Sequence, residues 1–117
     1  MKLLVSLSAY GDKNNNYLNQ VLDVYKSYKN YDVTIDVHGT MPLDRTDINQ
    51  ITHDNPKTTS LFHRQDFIRE RGKYDLYLFA ECDMMVPEEA IDVYLKYDKQ
   101  LPLECYLGFI RYETTPE

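Results

Sequence analysis

The feature that most limits the fold of this chain is the alternation of short apolar runs with amphipathic stretches. The runs at 3–9 and 76–80 are nearly continuous in apolar residues, as expected for strands covered on both faces. A further strand is predicted at 33–37, with a short extended piece near 48–52. Strands that alternate with helices predict an α/β fold with a mainly parallel sheet flanked by helices.

Helices are predicted between these runs from apolar spacing and from end signals. The stripe that defines the first helix has the spacing of one helical face: Leu18, Val21, Leu22, Tyr25 and Tyr28. The cluster 58–60 predicts a second helix that runs to about Arg71 and stops at Gly72. Pro87 predicts the start of a third helix, and 105–110 a last strand. We expect residues 1–117 to form one domain.

Charge and cysteine content narrow the classes of partner. The net charge of −6 argues against nucleic acid and anionic membranes, which favour basic surfaces. A phosphorylated small molecule is compatible with this charge, because a bound divalent cation reverses the local sign. The two cysteines lack a paired spacing and predict reduced thiols and a cytoplasmic protein. No apolar run approaches the roughly 20 residues that span a bilayer, so we expect no membrane span.

Polar residues follow the predicted strands at the ends where parallel sheets bind ligands. They are Ser8 and Tyr10 after the first strand, Asp36 and His38 at the second, and Glu81 and Asp83 after the strand at 76–80. This placement predicts a ligand site at the carboxyl edge of the sheet.

The triplet Glu81-Cys82-Asp83 carries the most specific chemistry in the chain. Side chains two residues apart on a strand point the same way, so both carboxylates can converge on one hard cation such as Mg²⁺ or Mn²⁺. A solvated acid pair that closes the strand before Pro87 explains the same spacing. Sequence spacing alone leaves both interpretations open.

The run from Tyr74 to Met85, with this acid triplet near its end, resembles the strand and D-x-D-type motif of GT-A nucleotide-diphospho-sugar transferases. The pair His63-Arg64 and the segment 108–113 are similar to segments of such proteins. The resemblance covers the chain in element order, but only the region of Glu81 to Asp83 is specific. It implies a Rossmann-like GT-A fold that binds a nucleotide-diphospho-sugar donor through Mn²⁺ or Mg²⁺ and passes the sugar to an acceptor hydroxyl.

The resemblance also implies roles for individual residues. Asp83 would be the principal metal ligand, and Glu81 would assist it or contact the ribose or sugar. Asp36 would recognise the base or ribose, and Arg64 would contact the diphosphate. Ser8 and Tyr10 would pack against the nucleotide.

Departures from the family pattern leave other functions open. The family's catalytic domains continue into an acceptor-binding half with a catalytic base, which this chain does not show, so the acceptor is unknown and the fold is expected to be truncated. The alternative is therefore a non-catalytic relative that binds nucleotide or a protein partner, and an exposed sheet edge would favour a homo-oligomer. A phosphatase-like domain that uses Asp83 with Mg²⁺ ranks last, because the first strand carries Ser6 and Ser8 where such folds place acids.

Overall fold

The computed structural model describes residues 1–9, 15–40, 42–54, 62–82 and 84–101. Strands and helices alternate along most of this length, as the sequence predicts. The elements are β1 (Lys2–Ser8), α1 (Asn15–Lys26), β2 (Asp32–Gly39), β3 (Asn49–Thr52), α2 (His63–Arg69), β4 (Leu76–Glu81) and α3 (Glu88–Asp98). The strand predicted at 105–110 lies outside the described residues.

The four strands form one parallel sheet in the order β3-β2-β1-β4. The chain moves outward from β1 through β2 to β3 and then returns past β1 to β4. Right-handed crossovers in opposite directions place α1 and α2 on opposite faces of the sheet. The predicted α/β class is therefore confirmed. The strand order is that of a doubly wound, Rossmann-like sheet, in which the direction of strand addition reverses between β1 and β4.

One face of the sheet is apolar and is the face to which the crossover rule assigns α1. Its central positions on β1 and β2 are Leu3, Val5, Leu7, Ile35 and Val37, none more than 4% exposed. The predicted α1 stripe is buried as well, including its last member Tyr28, which lies just past the end of the helix. This side holds the hydrophobic core.

The opposite face of the same two strands carries polar side chains. Ser6 and Ser8 on β1 are register partners of Asp36 and His38 on β2. All four are 3% exposed or less. Burying polar groups costs free energy unless they are hydrogen-bonded, so this face needs partners, and α2 supplies one.

α2 matches the sequence prediction in type but ends earlier than expected, and the cap cluster predicted at 58–60 lies outside the described residues. The helix ends at Arg69, whereas the pattern predicts an end near Arg71. Gly72 then adopts a φ of 83° in the turn before β4, a conformation that glycine tolerates best.

The chain divides into two compact units, Met1–Met85 and Val86–Glu117. Within the second, α3 follows the extended Pro87 and begins with Glu88 and Glu89, acids that suit the positive end of the helix dipole. Ile91 is its buried residue among those described. In the part of the chain that the structure describes, no helix has the length and apolar character needed to cross a bilayer.

Candidate functional site

The carboxyl ends of β1 and β4 meet at the point where the strand order reverses. Ser8 and Glu81 are register partners there, and the backbone N–H of Cys82 donates to the carbonyl of Ser8 at 2.9 Å. Doubly wound sheets bind ligands in the crevice beyond this point. The structure thus brings together two of the residues predicted for the site, while Tyr10 and Asp83 lie outside the described residues.

Glu81 ends β4 with a half-buried side chain. No ion pair or hydrogen bond joins its carboxylate to another residue in the described ranges. Cys82 is buried, at 6% exposure, as expected if it points to the other side of the strand. No group of three or more His, Cys, Asp or Glu side chains within the described ranges could hold a metal ion.

An aromatic pair lies on the same face of β4 as Glu81. Phe79, two residues earlier, stacks with His63 at the start of α2, with ring centroids 3.9 Å apart. Arg64 follows His63 and is exposed. The amino-terminal turn of α2 therefore stands beside the last residues of β4, and it carries a cation on its solvent side.

Asp36 lies inside β2, because the strand continues to Gly39 rather than ending at residue 37 as the pattern predicts. Its carboxylate is buried, at 3% exposure. Asn49 Nδ2 on β3 donates to Asp36 Oδ1 at 2.9 Å, and Arg69 Nη2 donates to Asp36 Oδ2 at 3.4 Å. The structure places this predicted site residue within a hydrogen-bonded network under α2.

Asp66 on α2 is the centre of that network and is 1% exposed. Ser6 Oγ donates to Asp66 Oδ2 at 3.1 Å, and His38 Nε2 contacts the same oxygen. Arg69 Nη2 lies 3.2 Å from Asp66 Oδ1. Two buried carboxylates, Asp36 and Asp66, thus share one guanidinium, whose side chain is 56% exposed.

A chain of rings leads from Asp66 to the carboxyl edge. His38 Nδ1 lies 2.8 Å from Nε2 of His53, which follows β3 and is half-buried. His53 stacks with Phe62, with centroids 3.8 Å apart and an interplanar angle of 11°. His38 also lies nearly parallel to Phe62, at 5.9 Å.

The surroundings shift the pKa values of Asp36 and His53 in this network. Burial raises the pKa of Asp36, and the charge of Asp66 adds to the rise, against the hydrogen bond from Asn49 and the charge of Arg69. Burial lowers the pKa of His53, and His38 lowers it further, against the attraction of Asp66 and Asp54. His53 therefore favours the neutral imidazole, which presents one donor and one acceptor.

The sequence predictions missed Asp66, Arg69 and His53, and they named His38 only as a polar residue of the second strand. The one sequence signal for them is the spacing of Asp66 and Arg69, which places both on one face of a helix. The arginine predicted to contact the diphosphate is Arg64, whereas Arg69 is the arginine that contacts the two buried carboxylates. No protein-family model, no curated protein and no solved structure matches this chain.

Proposed function

We propose that this chain binds the diphosphate of a nucleotide-sugar donor at the reversal point between β1 and β4. The observation that carries the proposal is the register pairing of Ser8 with Glu81 at the carboxyl edge of a doubly wound parallel sheet. In such sheets the crevice at the reversal point is the usual ligand site. A GT-A-type donor site fits the resemblance of the segment 74–85.

The residues at this point fit a hard divalent cation. Glu81 offers a half-buried carboxylate that no described residue pairs, and Asp83 is the second acid of the triplet. Mg²⁺ and Mn²⁺ bind oxygen ligands, and Mg²⁺ commonly takes one or two carboxylates together with phosphate oxygens. When bound, the cation would neutralise the diphosphate of a chain whose net charge is −6 and stabilise it as a leaving group.

Other residues of the proposed site differ in their access to a ligand. Arg64 is exposed at the start of α2 and suits phosphate oxygens, which a guanidinium can bind in bidentate fashion. Ser8 is the last residue of β1 and is 1% exposed, and Tyr10 lies outside the described residues. A direct contact of Asp36 with the nucleotide is left out of the proposal, because its carboxylate is 3% exposed and accepts from Asn49 and Arg69.

The proposed reaction is transfer of the sugar from the donor to an acceptor hydroxyl, with the acceptor unassigned. Binding of the donor and transfer are separable, so they need separate assays. Donor binding without transfer to any offered acceptor would identify a nucleotide-binding protein instead of a transferase.

The test of donor binding is thermal unfolding with uridine, guanosine, adenosine and cytidine diphosphates, with and without Mn²⁺. A ligand at about 100 times its dissociation constant stabilises the folded state by about 2.7 kcal/mol. We expect a shift that requires Mn²⁺ and disappears in Asp83→Asn and Glu81→Gln. The matched control is Glu89→Gln, an exposed acid on α3, which should keep the shift. No shift with any of the four nucleotides would overturn the proposal.

A further inference from the structure

When both rings are neutral, the hydrogen-bonded chain from Asp66 through His38 to His53 sets which ring nitrogen carries each proton. Asp66 accepts from the Ser6 hydroxyl and lies beside Arg69, so its carboxylate is an acceptor and Nε2 of His38 must donate to it. In a neutral ring the other nitrogen, Nδ1, is then an acceptor. It faces Nε2 of His53 at 2.8 Å, so His53 donates from Nε2.

This order of donors leaves Nδ1 of neutral His53 with its lone pair directed away from the network. In the described part of the chain, no hydrogen bond involves this nitrogen. The same residues contain no buried side-chain nitrogen or oxygen without a partner, so Nδ1 reaches solvent. The network thus presents a single acceptor of fixed tautomer at the carboxyl edge, two strands from β1.

The acceptor belongs to an aromatic wall. The rings of His53 and Phe62 stack at 3.8 Å, and each is half-buried. A flat ligand is recognised in proteins by aromatic side chains together with a few well-placed polar groups. A planar ring with an N–H on its edge matches both features of this wall.

We infer that His53 recognises the base of the bound nucleotide and selects bases that offer a ring N–H, as uracil and guanine do. Adenine and cytosine present a ring nitrogen acceptor at the equivalent position, and that lone pair would face the lone pair of Nδ1. The inference rests on the proposed nucleotide site and adds its base class. A nucleotide whose diphosphate occupies the reversal point would extend its base along the carboxyl edge past β2 toward β3.

Protonation of His53 converts the acceptor into a donor and should reverse the preference. The groups that face His53 are His38 from β2, Asp66 from α2, and the neighbouring Asp54. His38 and burial favour the neutral ring, whereas the two acids favour the charged ring. Selection of uracil and guanine is therefore expected above the pKa of His53 and should weaken below it.

The first test compares the affinities of the four nucleoside diphosphates with Mn²⁺ by calorimetry at about pH 8 and about pH 5, the lower value lying well below the ordinary histidine pKa because the pKa of His53 is lowered. At the higher pH, uridine and guanosine diphosphates should bind on the order of tenfold more tightly than the other two. His53→Phe keeps a ring for stacking and should abolish the ratio. The control His63→Phe makes the same change in the histidine stacked on Phe79 and should preserve it.

The outcomes separate the two proposals. Equal, Mn²⁺-dependent binding of all four nucleotides would overturn the role of His53 and leave the donor site intact. Absence of binding would overturn the donor site.

A second test uses the wild-type protein with nucleosides, which carry no phosphate, and without metal. Its result therefore does not depend on the folding of any variant. Nitrogen-resolved NMR spectra of the wild-type protein report the tautomer of each of its three histidines directly. We expect His38 and His53 both protonated at Nε2 at about pH 8, with uridine shifting the His53 signals more than cytidine does. A proton on Nδ1 of His53, or equal shifts from the two nucleosides, would overturn the inference.

Discussion

Asp36 and Asp66, from β2 and α2, share the guanidinium of Arg69, which lies 3.4 Å from one carboxylate and 3.2 Å from the other. The two acids have unequal sets of partners. Asp66 also accepts from Ser6 and His38, whereas Asp36 accepts from Asn49. The same chemical change should therefore alter the free energy of unfolding by different amounts at the two positions.

Asp66→Asn should lower the free energy of unfolding by about 2 to 4 kcal/mol, because it removes the charged acceptor of a buried network. Asp36→Asn should change it by less than about 1 kcal/mol at neutral pH. An amide at position 36 can still accept from Asn49, and it removes the buried charge and the repulsion by Asp66 that raise the pKa of the native carboxyl. Urea unfolding of both variants checks this. A larger loss in Asp36→Asn than in Asp66→Asn would contradict it.

The stability of the fold should depend on pH through His53. Its pKa is lowered in the folded state by burial and by His38, so the unfolded chain binds the proton more readily. The contribution of this residue is therefore fully present above its ordinary pKa of about 6.5 and is lost as the pH falls through that value toward the lower folded pKa.

Urea unfolding between about pH 8 and about pH 5 measures this dependence. His53→Phe should flatten it, since the variant has no ring nitrogen to titrate there. His63→Phe is the control. If the pH profile of His53→Phe equals that of the wild-type protein, His53 does not contribute to the pH dependence of stability.

Gly39→Ala should destabilise the carboxyl edge by about 1 to 2 kcal/mol. A Cβ at this position would lie 3.0 Å from the carbonyl oxygen of Ala9, a backbone atom that cannot rotate away. Gly72→Ala is the informative comparison, because a Cβ there meets nothing within 4 Å but must adopt a φ of 83°. Its cost should be about 1 kcal/mol and purely conformational. Nucleotide binding separates the two variants: Gly39→Ala should weaken it, and Gly72→Ala should not.

The stability of the fold should be sensitive to a loss of side-chain volume in the core between α1 and the sheet. Leu22 is fully buried, so Leu22→Ala should cost about 3 kcal/mol through lost burial and the cavity that it leaves. Tyr25 is buried as well, and its hydroxyl donates to the carbonyl of Met84 at 3.4 Å. Tyr25→Phe keeps the ring and should cost about 1 kcal/mol. Thermal unfolding of the two variants gives the comparison, and equal losses would contradict the assigned packing.

The sequence predicts the elements of this fold better than it predicts the polar network. The runs 3–9 and 76–80, the α1 stripe and the short extended piece near 48–52 all report local periodicity, and the structure confirms a strand or a helix at each. The strand order β3-β2-β1-β4 requires contacts between distant residues, which no local pattern encodes.

Asp66 shows why the network escaped prediction. It belongs to the polar sequence His63-Arg64-Gln65-Asp66, a full helical turn without an aliphatic residue to indicate which side is buried. Its burial against Ser6 and His38 depends on which face of α2 meets the sheet, a property of the docked helix. The acid triplet at Glu81 could be named from the sequence as a candidate site because its spacing is local and its strand is strongly apolar.

The chemical difference between the two faces of the sheet also has a consequence for the order of folding. The apolar face is made within the continuous segment 2–39, whose short loops let β1, α1 and β2 associate early. The hydrogen-bonded network of the other face is completed only when α2 docks and brings Asp66 and Arg69, after a much longer chain closure. Asp66→Asn should therefore accelerate unfolding in stopped-flow experiments and leave the refolding rate nearly unchanged, which would make α2 the last part of this unit to assemble and the first to leave.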